Sequence, residues 1–163
     1  MLLFLKNLLF TVFVPGAVAV YVPLRLAGGC GGLPPVWGVA QYAALLPLAC
    51  GCAVYFCCLW DFAAFGRGTP APVDAPRRLV VRGLYRYVRN PMYVGILSIL
   101  LGEALLFASQ RLFAYTAVAF IFYFLVVVFY EEPTLRRKFG ESYRRYCKSV
   151  PRWIPWKMKT YKG

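Results

Sequence analysis

Apolar residues in this chain come in four long runs, and polar residues gather between them. The first run covers Leu2 to Leu24, broken only by Lys6 and Asn7, and the second covers Val36 to Trp60. The third covers Pro91 to Ala108 and the fourth Leu112 to Tyr130. No charged residue lies between Leu8 and Leu24, or between Val36 and Trp60. A helix of about 20 apolar residues crosses the hydrocarbon core of a bilayer. Pro15, Pro23 and Pro47 would kink or end a soluble helix, but membrane helices tolerate them. Trp37 and Trp60 bracket the second run, as aromatic residues do at the two membrane interfaces. The pattern predicts an all-α, polytopic membrane protein: one domain over 1–163 with spans near 2–24, 36–60, 91–108 and 112–130. The first run also fits the apolar part of a signal peptide, but the equally apolar chain downstream favours a retained anchor.

The connections refine this. Arg25 to Pro35 contains Gly28-Gly29-Cys30-Gly31-Gly32 and Pro34-Pro35, which predicts a loop. Only Ser109, Gln110 and Arg111 separate the third and fourth runs, so these form an antiparallel helical hairpin. Its open ends, Asn90 and Glu131, then lie on the same side. Gly95, Ser98 and Gly102 share one face at helical spacing, which predicts a tight hairpin pair. In the loop 61–90, Pro70, Pro72 and Pro76 favour extended chain. From Arg78 to Arg89, apolar and basic residues alternate as in a segment lying along headgroups. In the tail 131–163, Leu135, Phe139, Tyr143 and Tyr146 recur at helical spacing among basic residues. That predicts a cytosolic amphipathic helix on the membrane face, followed by a stiff Val150-Pro-Arg-Trp-Ile-Pro155.

Composition supports the membrane reading: 61% of residues are hydrophobic and mean hydropathy is +0.60, too apolar for an ordinary soluble domain. Net charge is +13. The excess sits in the loop 61–90 and the tail, which places both on the cytoplasmic side with both termini. Basic residues that flank apolar spans suit anionic lipid and argue against nucleic acid. There is no His, so no imidazole serves as base or ligand. Cys30, Cys50, Cys52, Cys57, Cys58 and Cys147 form no CxxC pair, so they read as packing residues and no metal site is expected.

Acidic residues are scarce, six in all. Glu131 and Glu132 stand at the end of the fourth run, against an unfavourable helix dipole that something cationic should offset. Arg136 and Arg137 would balance them in a purely structural reading. Opposite, Asn90-Pro91 reads as a capped helix start with N–H groups aimed at an anion. Glu103, the one charge inside a span, either pairs with Arg111 or serves substrate recognition.

The ordered set Arg89-Asn-Pro-Met-Tyr-Val-Gly95, a hairpin, Glu131-Glu132-Pro-x-Leu135, Phe139-Gly140, Tyr143, Tyr146 and Val150-Pro-Arg-Trp-Ile-Pro155 resembles the isoprenylcysteine carboxyl methyltransferase and phospholipid methyltransferase group. The resemblance covers roughly Pro76 to Trp156. It implies S-adenosyl-L-methionine as cofactor, bound at the cytosolic end of the hairpin and capped by the C-terminal segment. It further implies an amphiphilic lipid or prenylated substrate that arrives from the bilayer. By position, Asn90, Pro91, Met92, Tyr93 and Gly95 form one wall of the cofactor site, and Glu131 and Glu132 the other. Tyr143, Tyr146 and Arg152 form the lid. Arg89, Tyr93 and Glu131 are the candidate catalytic residues: an Arg could place a carboxylate acceptor, and a carboxylate or phenol could deprotonate an amine or thiol. Asn90 stands where the prenylcysteine enzymes typically have His, which leaves the acceptor open. Gly66-Arg67-Gly68 resembles a Gly-x-Gly element of the lipid enzymes. Two other readings remain: a membrane reductase using NADPH on a similar hairpin, and a small proton-coupled exporter built on Glu103.

Overall fold

The computed structural model describes residues 15–28, 37–61, 64, 79 and 81–155. The start of the first run, the glycine-rich loop from Gly29, the Gly66-Arg67-Gly68 triplet and residues 156–163 lie outside these. All regular elements among the described residues are helical. Helix α1, Ala17–Ala27, begins as a π turn over Ala17–Tyr21 and continues as an α-helix over Val22–Ala27. The loop predicted from Arg25 therefore starts later. Arg25 remains helical, with its guanidinium 5.3 Å from the centre of the Tyr21 ring.

Helix α2 is Val39–Asp61, with Pro47 in its interior. A 3₁₀ turn at Gly83–Arg86 leads to α3, Pro91–Leu106. Helix α4, Gln110–Val126, follows after Phe107, Ala108 and Ser109. Ala108 takes a left-handed φ of 46°. The Ser109 carbonyl accepts the N–H groups of Leu112 and Phe113. This turn closes the antiparallel hairpin that the short connection predicts.

The small face of α3 packs differently from expectation. Its chief neighbour is α2, not α4. A Cβ on Gly51 would lie 2.6 Å from the Gly95 carbonyl oxygen, and one on Gly102 2.6 Å from Leu48 Cγ. Glycines at these crossings let two helix backbones come close enough for dispersion contacts along their length. Helix α3 is thus the central element: Met92, Gly95, Ile96, Leu100, Gly102 and Ala104 are all buried. Around it pack Tyr55 and Cys58 of α2, Tyr85 of the turn, Ala119 and Tyr123 of α4, and Ala19 of α1.

The outside is apolar. Leu46, Phe56 and Trp60 of α2, Val118, Ile121 and Phe122 of α4, and Phe129 just beyond it are exposed. An apolar rind around a polar-containing interior suits lipid as solvent. Helix α2 and the helix from Gln110 are each long and apolar enough to cross a membrane.

The tail departs from the predicted pattern. No break follows Glu131: a π turn at Val127–Glu131 carries α4 directly into α5, Glu132–Ser149. Pro133 has no N–H for the helix ladder, and the wide π turn beside it accommodates the loss. Thr134 Oγ1 donates to the Tyr130 carbonyl at 2.7 Å across the same bend. The dipole penalty expected at Glu131 and Glu132 does not arise, because the helix does not end there. The real break comes at Gly140, with φ 53° and ψ −123°. Beyond it, Tyr143, Tyr146 and Val150 are buried against Leu79, Val81, Leu135 and Phe139. The apolar face of α5 therefore covers the chain's own basic loop.

Candidate active site

The stretch Arg89-Asn90 runs beside the C-terminal segment and is fastened to it by backbone. Arg89 N–H donates to the Pro151 carbonyl at 2.8 Å, and Asn90 N–H to the Arg152 carbonyl at 3.2 Å. Asn90 Nδ2 donates to that same carbonyl at 3.2 Å. Its side chain makes no capping bond to α3, so the predicted N-cap is replaced by a strap holding the tail. The reason is geometric: at φ −124° and ψ 51° the residue serves the neighbouring segment instead of its own helix. A second fastening joins the Tyr146 hydroxyl to the Tyr85 carbonyl at 2.7 Å.

Glu132 is the hub. It is only 4% exposed. Arg152 grips it with two bonds, Nε to Oε1 at 2.6 Å and an Nη2 contact to Oε2 at 3.1 Å. Arg89 Nη1 donates to Oε1 at 3.0 Å, and Arg136 stands 3.6 Å from Oε2. The bidentate fork of Arg152 is the strongest geometry available to such a pair. Burial would raise the Glu132 carboxyl, but the Arg152 hydrogen bonds and the charges of Arg89, Arg152 and Arg136 hold it below the usual carboxylate range. The expected cationic compensation is therefore present, drawn from the loop, α5 and the tail at once. Arg136 supplies part of it; Arg137 is exposed.

Glu131 has different surroundings. The Tyr93 hydroxyl donates to its Oε1 in a short hydrogen bond. The Tyr93 ring stacks on Tyr123, with centres 4.6 Å apart and planes at 26°. The apolar run that continues from α4 ends at Tyr130, so both glutamates follow the apolar stretch. Burial pushes the Glu131 carboxyl up; the Tyr93 hydrogen bond counters this and the Glu132 charge adds to it. One carboxylate is thus saturated by arginines, while its neighbour accepts from a phenol hydroxyl.

The two polar clusters meet, as the hairpin requires. Arg89, Tyr93, Glu131, Glu132 and Arg152 all lie within this network. The other predicted site residues sit around it in supporting positions. Pro91 and Met92 are buried at the start of α3, and Gly95 is pressed against Gly51 and Tyr55. Tyr143 and Tyr146 are both 3% exposed, packed together under the tail with ring centres 6.1 Å apart. Glu103 is remote, and its predicted partner Arg111 is exposed. Glu103 Oε2 is buried, with no hydrogen-bond partner among the described residues. No ion pair joins it to Arg111 among the described residues, because α4 begins at Gln110 and Arg111 faces outward.

The sequence reading gave three neighbours no role in the site. Tyr123 lies two turns before Glu131, a spacing that could have disclosed it. Cys147 Sγ accepts from Arg89 Nη1 at 3.0 Å, which no sequence signal marks. Trp153 of the stiff terminus packs with its ring centre 5.7 Å from that of Phe120. Beneath it, a cavity of about 410 Å3 is bounded by Arg89, Phe124, Cys147, Lys148, Arg152 and Trp153, among others.

The sequence profile of the phospholipid methyltransferase family matches residues 39–142. The chain belongs to this family. The matched region carries α2, the hairpin, Arg89, Tyr93, Glu131 and Glu132, and stops before Tyr143 and the Arg152 tail. Curated relatives agree with the assignment. The chain is 41% identical over 80 residues to the protein-S-isoprenylcysteine O-methyltransferase of Schizosaccharomyces pombe, covering 47% of this chain and 33% of that protein. It is 34% identical over 82 residues to methanethiol S-methyltransferase 1 of Bradyrhizobium diazoefficiens, covering 50% of this chain and 28% of the relative. It is 34% identical over 73 residues to the methanethiol S-methyltransferase of Mycobacterium tuberculosis, covering 45% and 29%. The match thus spans about a third or less of the length of these relatives. No solved structure matches the chain.

Proposed function

We propose that this chain is a multi-pass membrane methyltransferase that uses S-adenosyl-L-methionine at the cytosolic end of the α3–α4 hairpin. In this reading there are four spans, both termini are cytoplasmic, and the acceptor is an amphiphile, a lipid headgroup or a prenylated cysteine. One observation carries the proposal: two neighbouring glutamates at the mouth of the hairpin have opposite surroundings. Glu132 is neutralised by three arginines and holds the tail in place. Glu131, among the described residues, accepts from the Tyr93 hydroxyl, whose ring stacks on Tyr123.

That asymmetry fits the cofactor. A sulfonium or ammonium group is attracted both to a carboxylate and to aromatic faces. Glu131, Tyr93 and Tyr123 are the residues that would receive it. The cofactor, when bound, supplies an electrophilic methyl group. The chain's own share is alignment and exclusion of water, which can account for much of the acceleration of a displacement. The tail strap over Arg89-Asn90 provides the exclusion. The Tyr93–Glu131 hydrogen bond gives a route for a proton leaving an amine or thiol acceptor, from the acceptor to the phenol oxygen as its own proton passes to Glu131 Oε1. The expected pairing of both glutamates with the cofactor narrows to Glu131, since Glu132 is already saturated.

Calorimetric titration with S-adenosylhomocysteine in lipid nanodiscs tests the reading. Wild-type protein should bind, and Glu131→Gln should weaken binding at least about tenfold, or ~1.4 kcal/mol. Absence of binding by the wild type would overturn the proposal.

A further inference from the structure

One acid takes no part in the site at the hairpin mouth. Glu103 is the only charged residue in the apolar run 91–108. It stands about 18 Å along α3 from Pro91, at 1.5 Å per residue. The residue is half-buried, and its Oε2 is buried with no hydrogen-bond partner among the described residues. Arg25 of α1 and Arg111 of α4 are both exposed, and no described ion pair includes Glu103. A carboxylate held among apolar side chains without a donor is costly, in a membrane above all.

Its polar neighbour is Tyr115 of α4, on whose hydroxyl the Glu103 charge acts. That hydroxyl donates to the Val18 carbonyl at 3.0 Å. The local sequence of α1 explains the bond. In the π turn over Ala17–Tyr21, the Val22 N–H bonds to the Ala17 carbonyl. The donor one residue further on would be Pro23, which has no N–H, so the Val18 carbonyl takes the phenol instead. Tyr115 then has only lone pairs left to offer, and an ionised Glu103 offers only acceptors. Two part-buried oxygens, one from α3 and one from α4, thus stand near each other, and neither accepts from a described donor.

The complement of such a pair is a cation that carries its own N–H groups. A calcium or magnesium ion would need about six oxygens, and a hydroxyl would bring one hydrogen and no charge. The place of Glu103 within an apolar run selects a ligand with an apolar body. Both residues are part-buried and not sealed in the core, so a molecule dissolved in the bilayer can reach them. We propose that Glu103 and the Tyr115 oxygen bind the protonated amine of a hydrophobic molecule that enters from the bilayer. The site is independent of the methyltransferase reading. An amine held there lies about three helical turns beyond Tyr93, out of reach of the hairpin mouth, and is not a group methylated at that mouth.

The test measures equilibrium binding of labelled dodecylamine at neutral pH to the protein in phosphatidylcholine nanodiscs, with empty discs giving the partition background. Dodecanol, methylammonium and S-adenosylhomocysteine are the competitors. Wild-type protein should bind dodecylamine saturably above background, and neither dodecanol nor methylammonium should displace it at equal concentration. Glu103→Gln should weaken binding at least about tenfold and Tyr115→Phe a few-fold, both with the far-UV circular dichroism of the wild type. No saturable binding, or unchanged affinity in Glu103→Gln, would overturn the proposal. Displacement by dodecanol as strong as by dodecylamine itself would overturn the ammonium chemistry, a result that needs no variant to fold. Equal displacement by methylammonium would overturn the apolar body. Mutual exclusion with S-adenosylhomocysteine would put the amine at the hairpin mouth and also overturn the proposal. Saturable, Glu103-dependent binding by protein that ignores S-adenosylhomocysteine would support the site and refute the methyltransferase reading.

Discussion

Replacing Glu132 by Ala removes the one carboxylate on which loop, helix and tail converge. Arg152 loses both partners of its fork and Arg89 loses its acid, while the three guanidinium groups remain to repel one another. Breaking a buried ion pair by deleting one member costs about 3–5 kcal/mol. Two of the three arginines are partly open, Arg152 at 38% and Arg136 at 57% side-chain exposure, so solvent screening brings the expected loss to the lower end, ~3 kcal/mol. Arg152→Ala should cost less, ~1–2 kcal/mol, because Arg89 and Arg136 still satisfy Glu132. Arg136→Ala should cost under about 0.5 kcal/mol. The Arg89 amide, bonded to the Pro151 carbonyl, reports on tail docking directly. Hydrogen exchange of peptides covering Arg89 and Asn90 should accelerate by about 100-fold in Glu132→Ala, about tenfold in Arg152→Ala and scarcely at all in Arg136→Ala. Equal exchange in all three variants, or faster exchange in Arg136→Ala than in Glu132→Ala, would refute the hub.

Further consequences follow from the same geometry. Gly140 has φ 53°, so Gly140→Ala should strain the bend by ~1–3 kcal/mol and loosen Tyr143 and Tyr146 although the added methyl meets open space; thermal unfolding in nanodiscs reads this. Gly51→Ala should cost ~1–3 kcal/mol through overpacking against Gly95, whereas Gly28→Ala, with nothing within 4 Å, should leave the melting temperature nearly unchanged. Because Glu132 is held below its ordinary value, its contribution is complete above the unfolded carboxyl's pKa of about 4.3 and is lost as pH falls through the lower folded value. Exchange of the Arg89–Asn90 peptide, corrected for its intrinsic pH dependence, should therefore hold level down to about pH 4 and rise only below it. Tyr93→Phe should keep the stack on Tyr123 but leave Glu131 without its donor, weakening S-adenosylhomocysteine by a few-fold in the same titration that tests Glu131→Gln.

Much of this protein was legible in the order of its residues. Apolar runs too long and too free of charge for a soluble domain announce membrane helices, because the bilayer penalises unpaired polar groups whatever their neighbours. A three-residue connection admits only an antiparallel hairpin, and that alone brings Asn90 and Glu131 to one side. Such inferences are local: they depend on chain length, spacing and transfer free energy. What the sequence could not decide was phase and partnership. The π turn at Val127–Glu131 rotates everything beyond it, so that Glu131 meets Tyr93 while Glu132 meets Arg89 and Arg152. Whether Asn90 caps its own helix or straps a segment sixty residues away depends on where that segment lies. The glycine face of α3 announced a close neighbour but not which one, and the tertiary packing chose α2. Each of these outcomes is a competition between surfaces distant in the chain, settled by how well they fill space and satisfy buried charge, which no residue determines alone.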